Sequence, residues 1–134
     1  MIGAIRAWPP DPAAQPDPRL DALEYAVVDC ETTGGSPGRG HRVTEIAAVR
    51  VNRNGFIVDE FRSLVNPLRA IPSTVTRLTN ITESMCTEAP LFVEIAPRLQ
   101  QVLAGAVFVA HNAPFDLRFV QWEMKRGDFA RRRG

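Results

Sequence analysis

Tyr25-Ala26-Val27-Val28-Asp29-Cys30-Glu31-Thr32-Thr33-Gly34-Gly35 is the stretch that decides the architecture. Its apolar start predicts a buried strand. Side chains alternate faces along a strand, so Asp29 and Glu31, two positions apart, project from the same face. Two carboxylates so placed repel each other and lose hydration unless a cation lies between them. Oxygen-only donors suit Mg2+ or Mn2+ rather than a structural zinc. The Thr-Thr-Gly-Gly bend that follows lets backbone approach a ligand closely. Taken alone, the pair also fits two solvated acids at a strand end, so a second group has to decide.

Working outward, Thr32 to Gly40 is a breaker-rich loop. Val43–Val51 reads as a second strand, Asn52-Arg53-Asn54-Gly55 as a turn and Phe56–Val65, with alternating polarity, as a third strand paired with the second. Ser73–Leu78 predicts a short helical turn. Leu91, Ile95, Leu99, Val102 and Leu103 give Pro90–Leu103 the spacing of an amphipathic helix. Ala106–Ala110 predicts a central fourth strand, and Phe115–Arg126 a last helix, with Asn112 as N-cap and Pro114 in the first turn. Phe108, Phe115, Phe119 and Trp122 read as core. The order is that of an α/β or α+β sandwich around a mixed sheet.

The second group stands in His111-Asn112-Ala113-Pro114-Phe115-Asp116. A lone acid in a first helical turn is commonly a partner of the helix dipole. Asp116, however, lies just past a strand end, where open α/β sheets deliver functional groups. If the fourth strand pairs beside the first, Asp116 comes within reach of Asp29 and Glu31, and a two-metal site becomes plausible.

The chain has 134 residues, 45% of them hydrophobic, and a formal charge of +1. That suits one domain of ordinary size. The near-neutral balance does not point to a nucleic-acid coat or a polybasic membrane protein, and it does not exclude a nuclease, because bound cations supply positive charge. Cys30 and Cys86 form no CxxC pair and read as reduced thiols of a cytoplasmic protein. No run reaches the ~18 apolar residues of a membrane span, and the N-terminus lacks the pattern of a secretory signal. Five of the eleven prolines lie between Pro9 and Pro18, so residues 1–22 predict an extended, mobile lead-in. The folded unit spans 23–126. Residues 127–134 read as a basic, solvated tail in which Arg131, Arg132 and Arg133 could touch phosphate.

Val27-Val28-Asp29-Cys30-Glu31-Thr32-Thr33-Gly34, Thr44-Glu45-Ile46-Ala47-Ala48-Val49-Arg50-Val51 and Val109-Ala110-His111-Asn112-Ala113-Pro114-Phe115-Asp116 together resemble the DEDD (DEDDh) 3′→5′ exonuclease family. The likeness is to the epsilon proofreading subunit of bacterial DNA polymerase III and its relatives, and it covers roughly residues 25–126. The resemblance implies a ribonuclease H-like mixed sheet with flanking helices, and two divalent cations, Mg2+ or Mn2+, held by carboxylates. It implies that Asp29, Glu31 and Asp116 are the catalytic, metal-binding acids, and that Thr32, Thr33, Gly34, His111 and Asn112 touch substrate. The implied substrate is DNA at single-stranded 3′ ends, and the implied partners are a DNA polymerase or repair proteins, with no membrane.

The family's third motif, His-x-x-x-x-Asp, is missing. His41 and His111 are the only histidines; His41 has no Asp five positions on, and His111, five before Asp116, already belongs to the second motif. The expectation is a site short of its fourth acid and general base, on a fold lacking its fifth strand and last helix. Such a site should bind metal weakly, and the sheet should expose an unpaired edge or an uncovered apolar face. Three readings follow: an impaired 3′→5′ exonuclease, a non-catalytic module that binds nucleic-acid ends or a polymerase or repair protein, and a vestigial product.

Overall fold

The computed structural model describes residues 3–5 and 19–133, with side chains from 19 to 128. The strands are β1 (Gly3–Ile5), β2 (Tyr25–Thr32), β3 (Val43–Val51), β4 (Ile57–Leu64) and β5 (Val107–Ala110). The helices are α1 (Ser73–Thr79), α2 (Glu83–Thr87), α3 (Phe92–Leu103) and α4 (Ala113–Arg133). The sheet order is β1-β5-β2-β3-β4. β2, β3 and β4 form an antiparallel meander, and β5 runs parallel to β2.

Local chemistry explains the meander. The Asn52 side-chain oxygen accepts from the Asn54 and Phe56 amides, each at 3.0 Å, and Gly55 takes φ 84°. That positive φ is open to glycine at no steric cost. A parallel neighbour needs a crossover, and α1, α2 and α3 supply it. The buried positions of α3 are Phe92, Ile95, Ala96, Leu99, Val102 and Leu103, a single helical stripe. They meet Ala26, Val28 and Cys30 of β2, Ile46 and Ala48 of β3, Phe108 and Ala110 of β5, and Leu117, Phe119 and Val120 of α4. The even-numbered face of β2 is therefore the core face. The odd-numbered face carries Val27, 45% exposed, together with Asp29 and Glu31. A smaller cluster of Ile71, Ile81 and Cys86, with Leu64 and Val75, anchors α1 and α2.

Several expectations change. Gly3–Ile5 does not belong to an unstructured lead-in. It pairs antiparallel with β5, Gly3 opposite Ala110 and Ile5 opposite Phe108. The outer edge of β5 offers unpaired amides and carbonyls, and the first residues of the chain satisfy them. The sheet thus has a fifth strand, taken from the N-terminus, and the edge expected to be bare is covered. The prolines between Pro9 and Pro18 lie outside the described residues. Leu20–Ala22 forms a 3-10 turn whose Leu20 carbonyl accepts from the Tyr25 hydroxyl at 2.6 Å, so ordered structure begins before residue 23.

The last helix does not stop at Arg126, and residues 127–133 are not a separate tail. Arg, Lys and Ala favour helix, and Gly127 faces Val93 of α3, where an added Cβ would sit 3.4 Å from Cγ2. Trp122 is not core. It is 42% exposed, against 1% for Phe108 and 0% for Phe119, and the Arg126 guanidinium lies over its ring at 5.8 Å. The short helix α2 had no periodicity long enough to read in the sequence.

Candidate active site

β2 places Asp29 and Glu31 on the exposed side of the sheet, next to the parallel strand β5. β5 ends at Ala110, and the chain turns through exposed His111 and Asn112 into α4. Asn112 holds the N-cap position, its carbonyl accepting from the amides of Phe115 at 2.9 Å and Asp116 at 3.3 Å. Asp116, only 5% exposed, then reaches back to β2, where its Oδ1 accepts from the Cys30 amide at 2.9 Å. The acid of the second motif is thereby tied to the backbone of the residue that separates the two acids of the first.

The loop after Glu31 closes on itself. Thr33 donates its amide to the Arg42 carbonyl at 2.8 Å, and the Arg42 amide donates to Thr33 Oγ1 at 3.0 Å. Thr32 Oγ1 donates to the Gly34 carbonyl at 2.7 Å. The Ser36 amide donates to His41 Nδ1 at 3.1 Å, and the His41 amide returns to the Ser36 carbonyl at 3.3 Å. Gly34 rests against the imidazole: a Cβ there would lie 2.6 Å from three ring atoms of His41. Only glycine allows that approach.

The electrostatics follow from like charges meeting at the edge of a dry core. Burial raises the Glu31 carboxyl above its ordinary range, and Asp29, Glu45 and Asp116 push it further. Burial also raises Asp116, with Asp29 adding to the rise and the Cys30 amide opposing it. The Cys30 thiol lies well above its ordinary value because of burial and then Asp116, Asp29 and Glu31. A thiol so held is a poor nucleophile, which leaves the carboxylates as the groups with chemistry to offer. Three hard oxygen donors suit a divalent cation of the Mg2+ or Mn2+ kind. Among the described residues no three His, Cys, Asp or Glu side chains are already arranged to enclose a metal. The acids are electrostatic neighbours rather than a closed cage.

The family profile described as RNase T exonuclease matches residues 26–129. The chain is a member of the DEDDh exonuclease family. It is 42% identical over 110 residues to the 3′-5′ exonuclease DinG of Bacillus subtilis, covering 82% of this chain and 12% of that protein. It is 46% identical over 103 residues to a DNA polymerase III subunit epsilon-like protein of Rhodobacter capsulatus, covering 76% of this chain and 15% of the relative. The chain thus spans a small part of the length of these relatives. Exonuclease X, solved in complex with 5′ overhanging duplex DNA, superposes with a TM-score of 0.59 at 33% identity, over 72% of this chain and 53% of its own. Escherichia coli Exonuclease I, solved with a dA16 oligonucleotide, shares the fold with a TM-score of 0.69 at 17% identity, over 78% and 24%. The mixed sheet with flanking helices is the ribonuclease H-like fold of these exonucleases.

Two residues of this DEDDh domain escape a motif reading. Glu123, 3% exposed, accepts from Arg42 Nε at 2.7 Å, Arg42 Nη2 at 2.8 Å and the Val43 amide at 3.3 Å. An acid at a core position of the last helix, beside Phe119 and Val120, was the available signal. Its partner could not be chosen from sequence. Among the described residues no helix is long and apolar enough to cross a membrane.

Proposed function

We propose that this domain is the cation-binding part of a 3′→5′ exonuclease that hydrolyses terminal phosphodiesters of DNA, with Asp29, Glu31 and Asp116 as its catalytic, metal-binding acids. The observation that carries the reading is the Cys30 amide bond to Asp116, which sets that acid beside the two acids of β2. Divalent-metal use is general to the family, and Mg2+ or Mn2+ is the ion these oxygen donors suit. When bound, two such ions lower the cost of charge on the attacking and leaving oxygens. Asp29 and Glu31 offer carboxylate oxygens from one face of β2, and Asp116 offers its carboxylate from the start of α4. Thr32, Thr33 and Gly34 lie in the closed loop next to these acids, and exposed His111 and Asn112 flank them. All five contact the terminal nucleotide in this reading.

DNA as substrate is supported by the DNA complexes solved for Exonuclease X and Exonuclease I. A polymerase partner is supported by the likeness to an epsilon-like protein. The one His-x-x-x-x-Asp, His111 to Asp116, belongs to the second motif, so no further histidine is assigned as general base among these residues, and hydrolysis by them alone should be slow. End binding without cleavage is the second reading. The test is hydrolysis of a 5′-labelled single-stranded DNA with Mn2+, beside EDTA and Asp29→Ala controls. Stepwise 3′ shortening, lost in both controls, is the expected result. Intact substrate from folded protein would overturn catalysis by this chain. Metal-dependent retention of the same oligonucleotide would then leave end binding standing.

A further inference from the structure

We propose that Glu123, through Arg42, is a positioning residue that sets where Asp116 and the Thr32–Arg42 loop stand relative to Asp29 and Glu31. The proposal rests on the reading of those acids as the metal site. Glu123 is almost wholly buried, and all three of its hydrogen bonds go to the start of β3. A buried ion pair is a weak source of stability, and apolar side chains of similar volume often serve as well or better. Its value lies elsewhere. The guanidinium fork meets a carboxylate in one bidentate geometry, which apolar packing does not impose.

The geometry links two parts of the site. Glu123 and Asp116 stand seven residues apart on α4, two turns and about 10 Å along the same face. Asp116 ties that face to β2 through the Cys30 amide, and Glu123 ties it to β3 through Arg42 and the Val43 amide. Two polar tethers at separate points fix both the rotation and the axial position of the helix. Leu117, Phe119 and Val120 hold it close to the sheet, without a directional bond that fixes its register. Arg42 has a second task. Its backbone amide and carbonyl are the partners of Thr33, so the residue that grips α4 also closes the loop that begins at Glu31.

The test uses the full chain and two readouts besides activity: hydrogen exchange of the Cys30 amide, and Mn2+ binding followed by electron paramagnetic resonance. The main variant is Arg42→Met/Glu123→Met, which removes both charges and keeps side-chain volume. A melting temperature close to the parent's is expected. Exchange at Cys30 should rise about tenfold or more, and Mn2+ affinity should fall by about tenfold, as for other supports of metal ligands. Parent-like exchange at Cys30 in the folded double variant would overturn the proposal. Should the double variant not fold, Arg42→Lys keeps the charge, loses the fork and is read in the same way. A parent that binds no Mn2+ defeats the metal-site reading, while Cys30 exchange still decides whether Glu123 positions Asp116.

Discussion

Asp29, Glu31 and Asp116 are a liability to the metal-free fold, and that makes them testable one residue at a time. Glu31 and Asp116 hold their protons more tightly in the folded chain than in the unfolded one. The folded state therefore binds extra protons between the ordinary carboxylate values and the raised ones, and stability falls as pH rises through that window. In metal-free buffer the melting temperature should be higher near the ordinary carboxylate range than at neutral pH, before wider acid denaturation intervenes. Asp29→Asn removes a charge that raises both neighbours. It should increase the melting temperature at neutral pH by on the order of 2 °C and should abolish any further rise on adding Mn2+. Melting curves with EDTA and with Mn2+ read both effects, and an unchanged Mn2+ response would exclude Asp29 as a ligand. These three acids were legible because strand alternation and a strand-to-helix junction fix them locally. Glu123 and Arg42 were not, because their partnership spans two elements that only packing brings together.

At the scale of elements, α3 shows how far periodicity reaches. Its apolar stripe was legible from Leu91 to Leu103, and the structure buries that stripe against β2, β3 and α4. Pro97 sits inside it, on the exposed side, where its missing amide leaves the Val93 carbonyl without the usual helical partner. Pro97→Ala should stabilise the chain by about 1–2 kcal/mol, the helix gain less the lost stiffness of the unfolded chain. Thermal or urea unfolding measures it, and a lower stability would mean that the ring itself packs usefully. The end of α4 was illegible for a related reason. Gly127 and a run of like charges argue for a stop, whereas in the structure the helix runs on through Gly127 to Arg133, with Gly127 on the side facing Val93 of α3.

For the whole molecule, the consequential feature is the short strand β1 on the edge of β5. A chain beginning at Arg19 leaves that edge bare, with its row of unpaired backbone groups. It should keep the α3–α4 core and self-associate with rising concentration in sedimentation velocity, where the full chain stays smaller. A truncated chain that remains monomeric would show that β1 does not protect the edge. The opposite edge, β4, already carries exposed Phe56, Ile57 and Val58 nearby. The sequence by itself determined the strand-borne acids, the meander, the helix α3 and the kinship of the domain, since each rests on local spacing of two, three or four residues. Tertiary structure alone decided which edge β1 fills, how far α4 runs, that Trp122 faces solvent, and that Asp116 meets the Cys30 amide while Glu123 meets Arg42. Those outcomes depend on groups tens of residues apart competing for the same partners, and only the closed sheet and its packed helices settle that competition.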